Sequence, residues 1–298
     1  MRLNVSSVTT LLVYALLVLI WATTPLAIVW TIQDIDPLWA LLLRYWFASA
    51  IAGVILVLIG GALSFDRTSL KSYSAGSLNL IGAQLFIYVA ASSLSSSLMV
   101  LIYAFSPLIA GLIEHFVLKT QKLAVLQWGG MTLAIIGLMS IFIDPSQSSA
   151  SPLGLVLMLI SIGCYLSSIF LVKRINAPLS ALSQSTGSLM VSALASTLMI
   201  PLIWSNLPVA LPSLQSGLSF IYTVVISSIV AMLCYFWLIK RLQASTFALS
   251  NMITPSIALM VGVFFNHEPM TMRMGVGLLS VLSGIGLYFY AMRRSSSH

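Results

Sequence analysis

Charge is the scarcest property of this sequence. Aspartate and glutamate together number 6, and all charged residues make up 6% of the 298-residue chain, whereas a soluble domain carries about 25%. So few charges cannot cover the surface of a soluble protein of this length. Hydrophobic residues reach 59% and fall in long runs separated by short polar turns. The composition predicts an all-α, multi-pass protein of the cell membrane, either plasma or inner.

Cysteine and histidine are also scarce, which limits the chemistry available. Cys164 and Cys234 lie in apolar stretches, which predicts buried thiols rather than a disulfide. Three histidines and a few scattered acids offer no metal cluster, no paired carboxylates and no nucleophile with a base. No Gly-rich phosphate loop is present. We therefore expect neither an enzyme nor a bound cofactor or metal.

Ten segments are long and apolar enough to cross a bilayer, since a span needs about 20 mostly apolar residues. Their connections are short and carry turn residues, as in "DIDP" (34–37). The predicted spans are 9–29, 38–60, 73–93, 96–117, 126–143, 153–172, 183–203, 217–238, 244–266 and 274–292.

The basic residues test this map. Eleven of the 13 fall on one side of the predicted membrane, Arg273 falls on the other, and Arg44 lies within a span. Lysine and arginine collect in cytoplasmic loops, so both termini are predicted to be cytoplasmic. Because the basic residues form no run longer than two, the net charge of +7 does not indicate nucleic-acid binding.

An internal repeat divides the chain into halves of five spans, 1–148 and 149–298. A shift of 148 residues aligns Pro107 with Pro255 and Gly129 with Gly277, and maps spans four and five onto spans nine and ten. An odd number of spans reverses direction, so the second half is predicted to be inverted relative to the first. Inverted repeats are typical of secondary transporters that work by alternating access.

The repeat carries motifs of a known family. "WATTP" (21–25), "RYW" (44–46), "SPLIA" (106–110) and "TPSIA" (254–258) resemble the EamA family of the drug/metabolite transporter superfamily. Pro255, Glu268 and Gly277 match its proline, glutamate and glycine pattern, whereas Thr120 stands where the first half would carry the glutamate. The resemblance implies export of small metabolites or amino-acid-like, amphiphilic compounds. The alternatives are a facilitative exchanger and a membrane receptor or scaffold without transport.

Pro107 and Pro255 are candidate hinges. Each lies about 15 Å into its span, near the middle of the hydrocarbon core. A proline there removes one helical hydrogen bond and leaves the carbonyl four residues earlier, of Tyr103 or Asn251, without its usual partner. Either the two prolines border a shared cavity, or each produces a simple kink relieved by neighbouring side chains.

Polar and aromatic side chains within the spans predict a substrate site with aromatic walls and hydroxyl and amide groups. Core or lipid packing is the alternative for each. Gln84 and Tyr88 share one helix face, as Phe247 and Asn251 do. The full candidate set is Trp21, Arg44, Gln84, Tyr88, Tyr103, Tyr165, Tyr235, Phe247 and Asn251.

Arg44 allows two interpretations. It lies about 9 Å below the outer end of its span, so its side chain can extend to the interface and pair there with Asp34 or Asp36. The other interpretation is a cation that faces the cavity and binds a carboxylate in a bidentate fork.

Glu114 and Glu268 are the candidates for proton coupling. Both lie near span ends, where pairing with interfacial neighbours is the alternative.

Small residues four apart, Ser49–Gly53, Gly130–Ala134 and Ser280–Gly284, predict close helix packing within one protomer. The expected partners are a small-molecule substrate, membrane lipids and protons. The expected state is a monomer or weak homodimer.

Overall fold

The structure is a computed structural model that describes residues 5–118, 123–142, 151–207, 210–241, 250–267 and 271–295. Throughout these ranges the fold is all-helical. The first half contains α1 (Val5–Thr31), α2 (Pro37–Leu58), α3 (Arg67–Ser77), α4 (Ala83–Ala90), α5 (Ser96–Tyr103), α6 (Ser106–Leu112) and α7 (Val125–Phe142). The second half contains α8 (Pro152–Ile175), α9 (Ala181–Thr197), α10 (Ile200–Ile203), α11 (Leu214–Tyr222), α12 (Ala231–Ile239), α13 (Ser250–Asn266) and α14 (Met272–Ser295).

Three π-helical stretches interrupt or extend these helices. Residues 78–82 join α3 to α4, residues 113–118 follow α6, and residues 223–230 join α11 to α12. The last stretch combines two short helices into one apolar segment, Leu214–Ile239. π-helical turns are rare overall, and those that occur are often found at functional sites.

Local sequence explains where the helices begin. Asp36 accepts hydrogen bonds from the N–H groups of Leu38 and Trp39, and Pro37 follows it as the first residue of α2. Asp66 caps α3 in the same way, through Thr68 N–H and Ser69 N–H. Capping side chains satisfy N–H groups that have no partner within the helix, and proline suits the first helical position because it lacks an N–H.

Within the described residues, five helices are long and apolar enough to cross a membrane. The number is six if the pair Ala181–Thr197 and Ile200–Asn206, bent by 52°, counts as one span. Ser96–Leu112, Val125–Ile141 and Ile257–Asn266 are shorter apolar helices. Each of the ten predicted spans overlaps helical residues. The number of crossings and the side on which the termini lie stay predictions.

The helices pack around one main core, and many large apolar side chains point outward. Leu11, Val57 and Leu202 are 61%, 72% and 81% exposed. An apolar outer surface suits a lipid environment, because an exposed leucine side chain costs no free energy among lipid tails. The protein is therefore a multi-pass membrane protein with a lipid-facing outer surface.

α7 and α14 approach each other closely at their glycines. A Cβ atom on Gly130 would lie 2.6 Å from the carbonyl oxygen of Gly284, and one on Gly137 would lie 2.7 Å from that of Gly277. These contacts run in opposite directions along the two helices, so the pair is antiparallel. The prediction that Gly130–Ala134 and Ser280–Gly284 pack helices within one protomer is confirmed for these two motifs.

Candidate functional site

A cavity that is open at its mouth is lined by residues of both halves of the chain. Helices α1, α4 and α5 of the first half and helices α8, α12 and α13 of the second half contribute to the lining. Its lining is Trp21, Thr24, Pro25, Ile28, Asn79, Gln84, Ile87, Met99, Val100, Tyr103, Ala104, Met158, Tyr165, Met232 and Thr254. No charged side chain is found among these lining residues. The cavity therefore combines an apolar surface with a few neutral hydrogen-bonding groups, as ligand pockets commonly do.

Three aromatic side chains form a continuous wall of the cavity. The ring of Trp21 meets that of Tyr165 edge-on, with centroids 6.1 Å apart and planes at 86°. Tyr165 in turn lies 5.9 Å from Tyr103. Aromatic pairs favour these spacings and tilted arrangements because the ring edge is positive and the face negative. The wall joins α1 and α5 of the first half to α8 of the second.

A hydrogen-bond chain fixes the orientation of Tyr103. The hydroxyl of Ser161 donates to the carbonyl oxygen of Ala83 at 2.8 Å, and it lies 2.5 Å from the hydroxyl of Tyr103. Because the single hydroxyl hydrogen of Ser161 is used by Ala83, Tyr103 is the donor in the second contact. These hydrogen bonds hold helices α4, α5 and α8 together at the cavity wall.

Arg44 lies behind this cavity, with its side chain only 1% exposed. Its Nε donates to the hydroxyl oxygen of Ser228 at 2.7 Å. Its Nη1 donates to Gln84 Oε1 at 3.2 Å and to the hydroxyl oxygen of Tyr88 at 3.3 Å. Gln84 lines the cavity, so the guanidinium is one hydrogen bond from it.

The position of Ser228 follows from the third π-helical stretch. The Ser228 hydroxyl donates to the carbonyl oxygen of Thr223, five residues earlier, and it accepts from Arg44. Arg44 therefore connects α2 of the first half to the π-helical turn of the second half. The guanidinium is buried, and its described partners are Ser228, Gln84 and Tyr88 rather than Asp34 or Asp36.

The structure brings together part of the predicted candidate set. Trp21, Gln84, Tyr103 and Tyr165 line the cavity, while Arg44, Tyr88 and Tyr235 are buried next to it. Phe247 and Glu268 lie outside the described residues. Asn251 and Glu114 lie on described helical backbone, in α13 and in residues 113–118, but their side chains lie outside the described part.

The two predicted hinges have different surroundings. Pro107 is the second residue of α6, after a break in the helix at residues 104–105. Pro255 lies inside an unbroken α13. It lines a separate small pocket with Ser97, Leu101 and Leu259. The two prolines do not border the main cavity, although Ala104, at the break before Pro107, lines it.

Several lining residues escaped the sequence-based prediction. Pro25 lies inside α1, next to Thr24. The Thr24 hydroxyl donates to the carbonyl oxygen of Ile20 and lies 2.7 Å from the hydroxyl oxygen of Ser227. Asn79 contributes an amide that donates to the sulfur of Met232 at 3.8 Å. A polar amide within the predicted span 73–93 was the signal that could have identified Asn79, because such a group is costly in lipid.

A second set of polar contacts joins the halves at the C-terminal end of α1 and in the turn that follows it. The carboxylate of Asp34 accepts from the N–H and hydroxyl of Ser213, and that of Asp36 accepts from the amide of Asn206 at 3.0 Å. The indole N–H of Trp30 donates to Asn266 Oδ1 at 2.8 Å. The hydrogen bonds from Ser213 lower the pKa of the Asp34 carboxyl below its usual range, because they stabilise the charged form.

The chain resembles known transporters along its whole length. The model of the EamA-like transporter family matches twice, at residues 8–143 and 152–297. The uncharacterized transporter YoaV of Bacillus subtilis is 26% identical over 285 residues, which cover 93% of this chain and 95% of that protein. The uncharacterized inner membrane transporter YedA of Escherichia coli K12 is 25% identical over 283 residues, which cover 92% of this chain and 90% of that protein.

A solved crystal structure of another protein shares the fold. It superposes with a TM-score of 0.69 at 15% identity, covering 96% of this chain and 98% of the other. At this identity the similarity shows the architecture alone.

Proposed function

Because the chain belongs to the EamA-like transporter family, we propose that it is a secondary transporter that exports small metabolites or amino-acid-like, amphiphilic compounds. The substrate site in this proposal is the cavity lined by Trp21, Tyr103 and Tyr165. The observation that carries the proposal is that both halves line this one cavity. A site shared by two inverted halves is exposed alternately to either side when the halves rock against each other.

The contacts at the C-terminal end of α1 and in the turn that follows it support a gate at one end of the cavity. Asp34 with Ser213, Asp36 with Asn206 and Trp30 with Asn266 each join the first half to the second. By the distribution of basic residues this end faces outward. We propose that these pairs form the outer gate in its closed arrangement, and that they separate when the halves rock.

The proposal is tested by transport in vesicles. Purified protein is reconstituted, and counterflow is measured for a panel of labelled amino acids, their amides and monocarboxylates. We expect saturable counterflow for at least one compound in protein-containing vesicles and none in empty ones. Absence of protein-dependent flux for the whole panel would contradict the substrate class that we propose.

A pair of matched variants connects the flux to the cavity. Ala104 is 1% exposed and lines the cavity, whereas Ala50 on α2 faces outward. Ala104→Phe places a large ring where substrate would lie and should abolish counterflow, while Ala50→Phe should leave it unchanged. Melting curves of both variants separate a blocked site from a loss of fold. Normal flux through a folded Ala104→Phe protein would place the substrate path elsewhere.

A further inference from the structure

Arg44 is a buried cation whose hydrogen-bond partners are all neutral. Its side chain is 1% exposed, and its partners among the described residues are the oxygens of Ser228, Gln84 and Tyr88. A charge in a membrane interior is costly and normally pairs with an opposite charge. Arginine remains protonated at physiological pH, so it cannot escape this cost by losing its proton.

No described carboxylate supplies the missing negative charge. Asp34 is bonded to Ser213, Asp36 to Asn206, and Asp66 to residues at the start of α3. The Nη2 group of Arg44 makes no hydrogen bond to any residue that the structure describes. The rings of Tyr45 and Tyr88, 5.7 Å and 5.8 Å away, provide only the partial negative charge of aromatic faces.

Gln84 separates this cation from the cavity. Its amide oxygen accepts from Arg44 Nη1 at 3.2 Å, and its side chain lines the cavity wall. The amide oxygen thus occupies the place that one carboxylate oxygen would take in a charge-assisted pair. A neutral acceptor at that place is weaker than a carboxylate, so an anion that entered the cavity would compete successfully for Arg44.

We propose that the transported compound carries a single carboxylate, which replaces the amide oxygen of Gln84 on Arg44, while its apolar part lies against Trp21, Tyr103 and Tyr165. This inference rests on the proposed function of the cavity. One negative charge neutralises the one buried cation. A phosphate monoester carries a charge of about −1.5 to −2 and would leave an excess negative charge in a cavity whose described lining has no second cation.

The test compares compounds that differ only in the charged group. 3-Phenylpropionate, 3-phenylpropanamide and phenethyl phosphate are titrated against the purified full-length protein, with binding measured by thermal stabilisation. Hydrogen bonds to a charged group are about twice as strong as neutral ones. We therefore expect the carboxylate to bind about 10-fold to 100-fold more tightly than the amide. Equal binding of the two, or tighter binding of the phosphate, would overturn the proposal.

Two arginine variants assign the preference to Arg44. Arg44→Gln removes the charge but keeps a hydrogen-bonding side chain, and we expect the preference for carboxylate over amide to disappear. Arg241→Gln is the matched control, because Arg241 is exposed and stacks on Trp237 at 3.9 Å, away from the cavity. It should retain the full preference. A preference that survives in Arg44→Gln would overturn the proposal.

Gln84→Glu keeps the test decisive if Arg44→Gln does not fold. The new carboxylate is nearly identical in shape to the amide and lies within reach of Nη1, so it supplies the missing charge from within the protein. We expect 3-phenylpropionate binding to fall at least 10-fold, with an increase in the melting temperature. Unchanged binding in Gln84→Glu would overturn the proposal.

Counterflow in vesicles separates this inference from the proposed function. Equal, saturable counterflow of 3-phenylpropionate and 3-phenylpropanamide would leave the transport function intact and remove the role of the carboxylate. Absence of 3-phenylpropionate binding, with saturable counterflow of another member of the panel, would overturn this inference and leave the transport function intact. Absence of flux for the whole panel would remove both.

Discussion

The carboxylate of Asp34 accepts two hydrogen bonds from Ser213, one from its N–H at 2.9 Å and one from its hydroxyl at 2.5 Å. The same serine hydroxyl accepts from Ser216 N–H and caps α11. One aspartate between α1 and α2 therefore fixes the start of a helix 179 residues away in sequence. In the proposed function this contact holds the outer gate closed.

Replacing Asp34 by asparagine should loosen that gate. The amide oxygen is a weaker acceptor than a carboxylate for both hydrogen bonds of Ser213. The test uses a protein with Cys164 and Cys234 replaced and a cysteine introduced at Thr24, which lines the cavity. Asp34→Asn should raise the rate at which an impermeant maleimide labels that cysteine from outside, by about threefold, as expected for an exposed contact.

Asp66→Asn provides the control for the gate. Asp66 caps α3 through Thr68 and Ser69 and lies, by the predicted topology, on the inner side. The labelling rate from outside should be unchanged in this variant. If Asp34→Asn and Asp66→Asn label equally, the contact between Asp34 and Ser213 does not hold a gate.

The same contact predicts how the gate responds to pH. Hydrogen bonds from Ser213 lower the pKa of the Asp34 carboxyl below its ordinary value of 3.8. A group whose pKa is lower in the bonded state contributes fully above its ordinary pKa and loses that contribution as the pH falls through the lowered value.

Labelling of the introduced cysteine should therefore be flat between about pH 5 and pH 8, apart from the reactivity of the maleimide itself, and should increase only below pH 3.8. The Asp34→Asn variant corrects for the reagent and should lack the acidic increase. A rise in labelling near neutral pH that depends on Asp34 would contradict this expectation.

Sequence patterns predicted the helical membrane fold and part of the cavity for clear physical reasons. Apolar runs of span length have few alternatives to a helix in lipid, so their positions could be read directly. Trp21, Gln84, Tyr103 and Tyr165 stood out because polar or aromatic groups inside such runs need a partner. Four residues on four different helices line one cavity, yet only the tertiary packing determines that they meet.

Arg44 shows what the sequence could not provide. Its depth in the span allowed both an interfacial and an interior position, and the choice depends on which way the side chain points. The interior position is fixed by Ser228, 184 residues away, at a π-helical turn that has no recognisable sequence signature here. Prolines within the predicted spans show that sequence position alone does not tell which residues reach the cavity. Pro25 lines the cavity, whereas Pro107 and Pro255 do not.

The aromatic wall predicts a specific loss of affinity. Trp21 contacts Tyr165 and Tyr235, with ring centroids 6.1 Å and 6.0 Å away. Trp21→Ala removes the largest surface available to an aromatic compound and should weaken the apparent affinity about 10-fold for the best-transported aromatic member of the panel. Trp21→Phe, which keeps a ring, should weaken it less.

Trp204→Ala is the matched control for the aromatic wall. Trp204 is 65% exposed and lies outside the cavity lining, so its removal should leave the apparent affinity unchanged. Concentration dependence of counterflow gives the affinity of each variant. Equal effects of Trp21→Ala and Trp204→Ala would show that the wall does not contact substrate.

The contact between α7 and α14 predicts opposite effects at two neighbouring glycines. A Cβ atom at Gly130 would lie 2.6 Å from the carbonyl oxygen of Gly284 and 2.9 Å from the backbone nitrogen of Tyr288. Both are backbone atoms, which cannot move aside as a flexible side chain would, so Gly130→Ala must separate the helices. We expect the free energy of unfolding to fall by about 1–3 kcal/mol, as it does at other overpacked sites.

Gly129 has no atom within 4 Å of its hypothetical Cβ atom. Gly129→Ala should therefore be neutral or should stabilise the helix by about 0.5–1 kcal/mol, because alanine loses less backbone freedom than glycine in a helix. Thermal melts of the two variants in the same detergent measure the difference. The proposed site lies on other helices, so Gly130→Ala should retain counterflow below its melting temperature. Equal melting temperatures for the two variants would show that α7 and α14 do not pack at this distance.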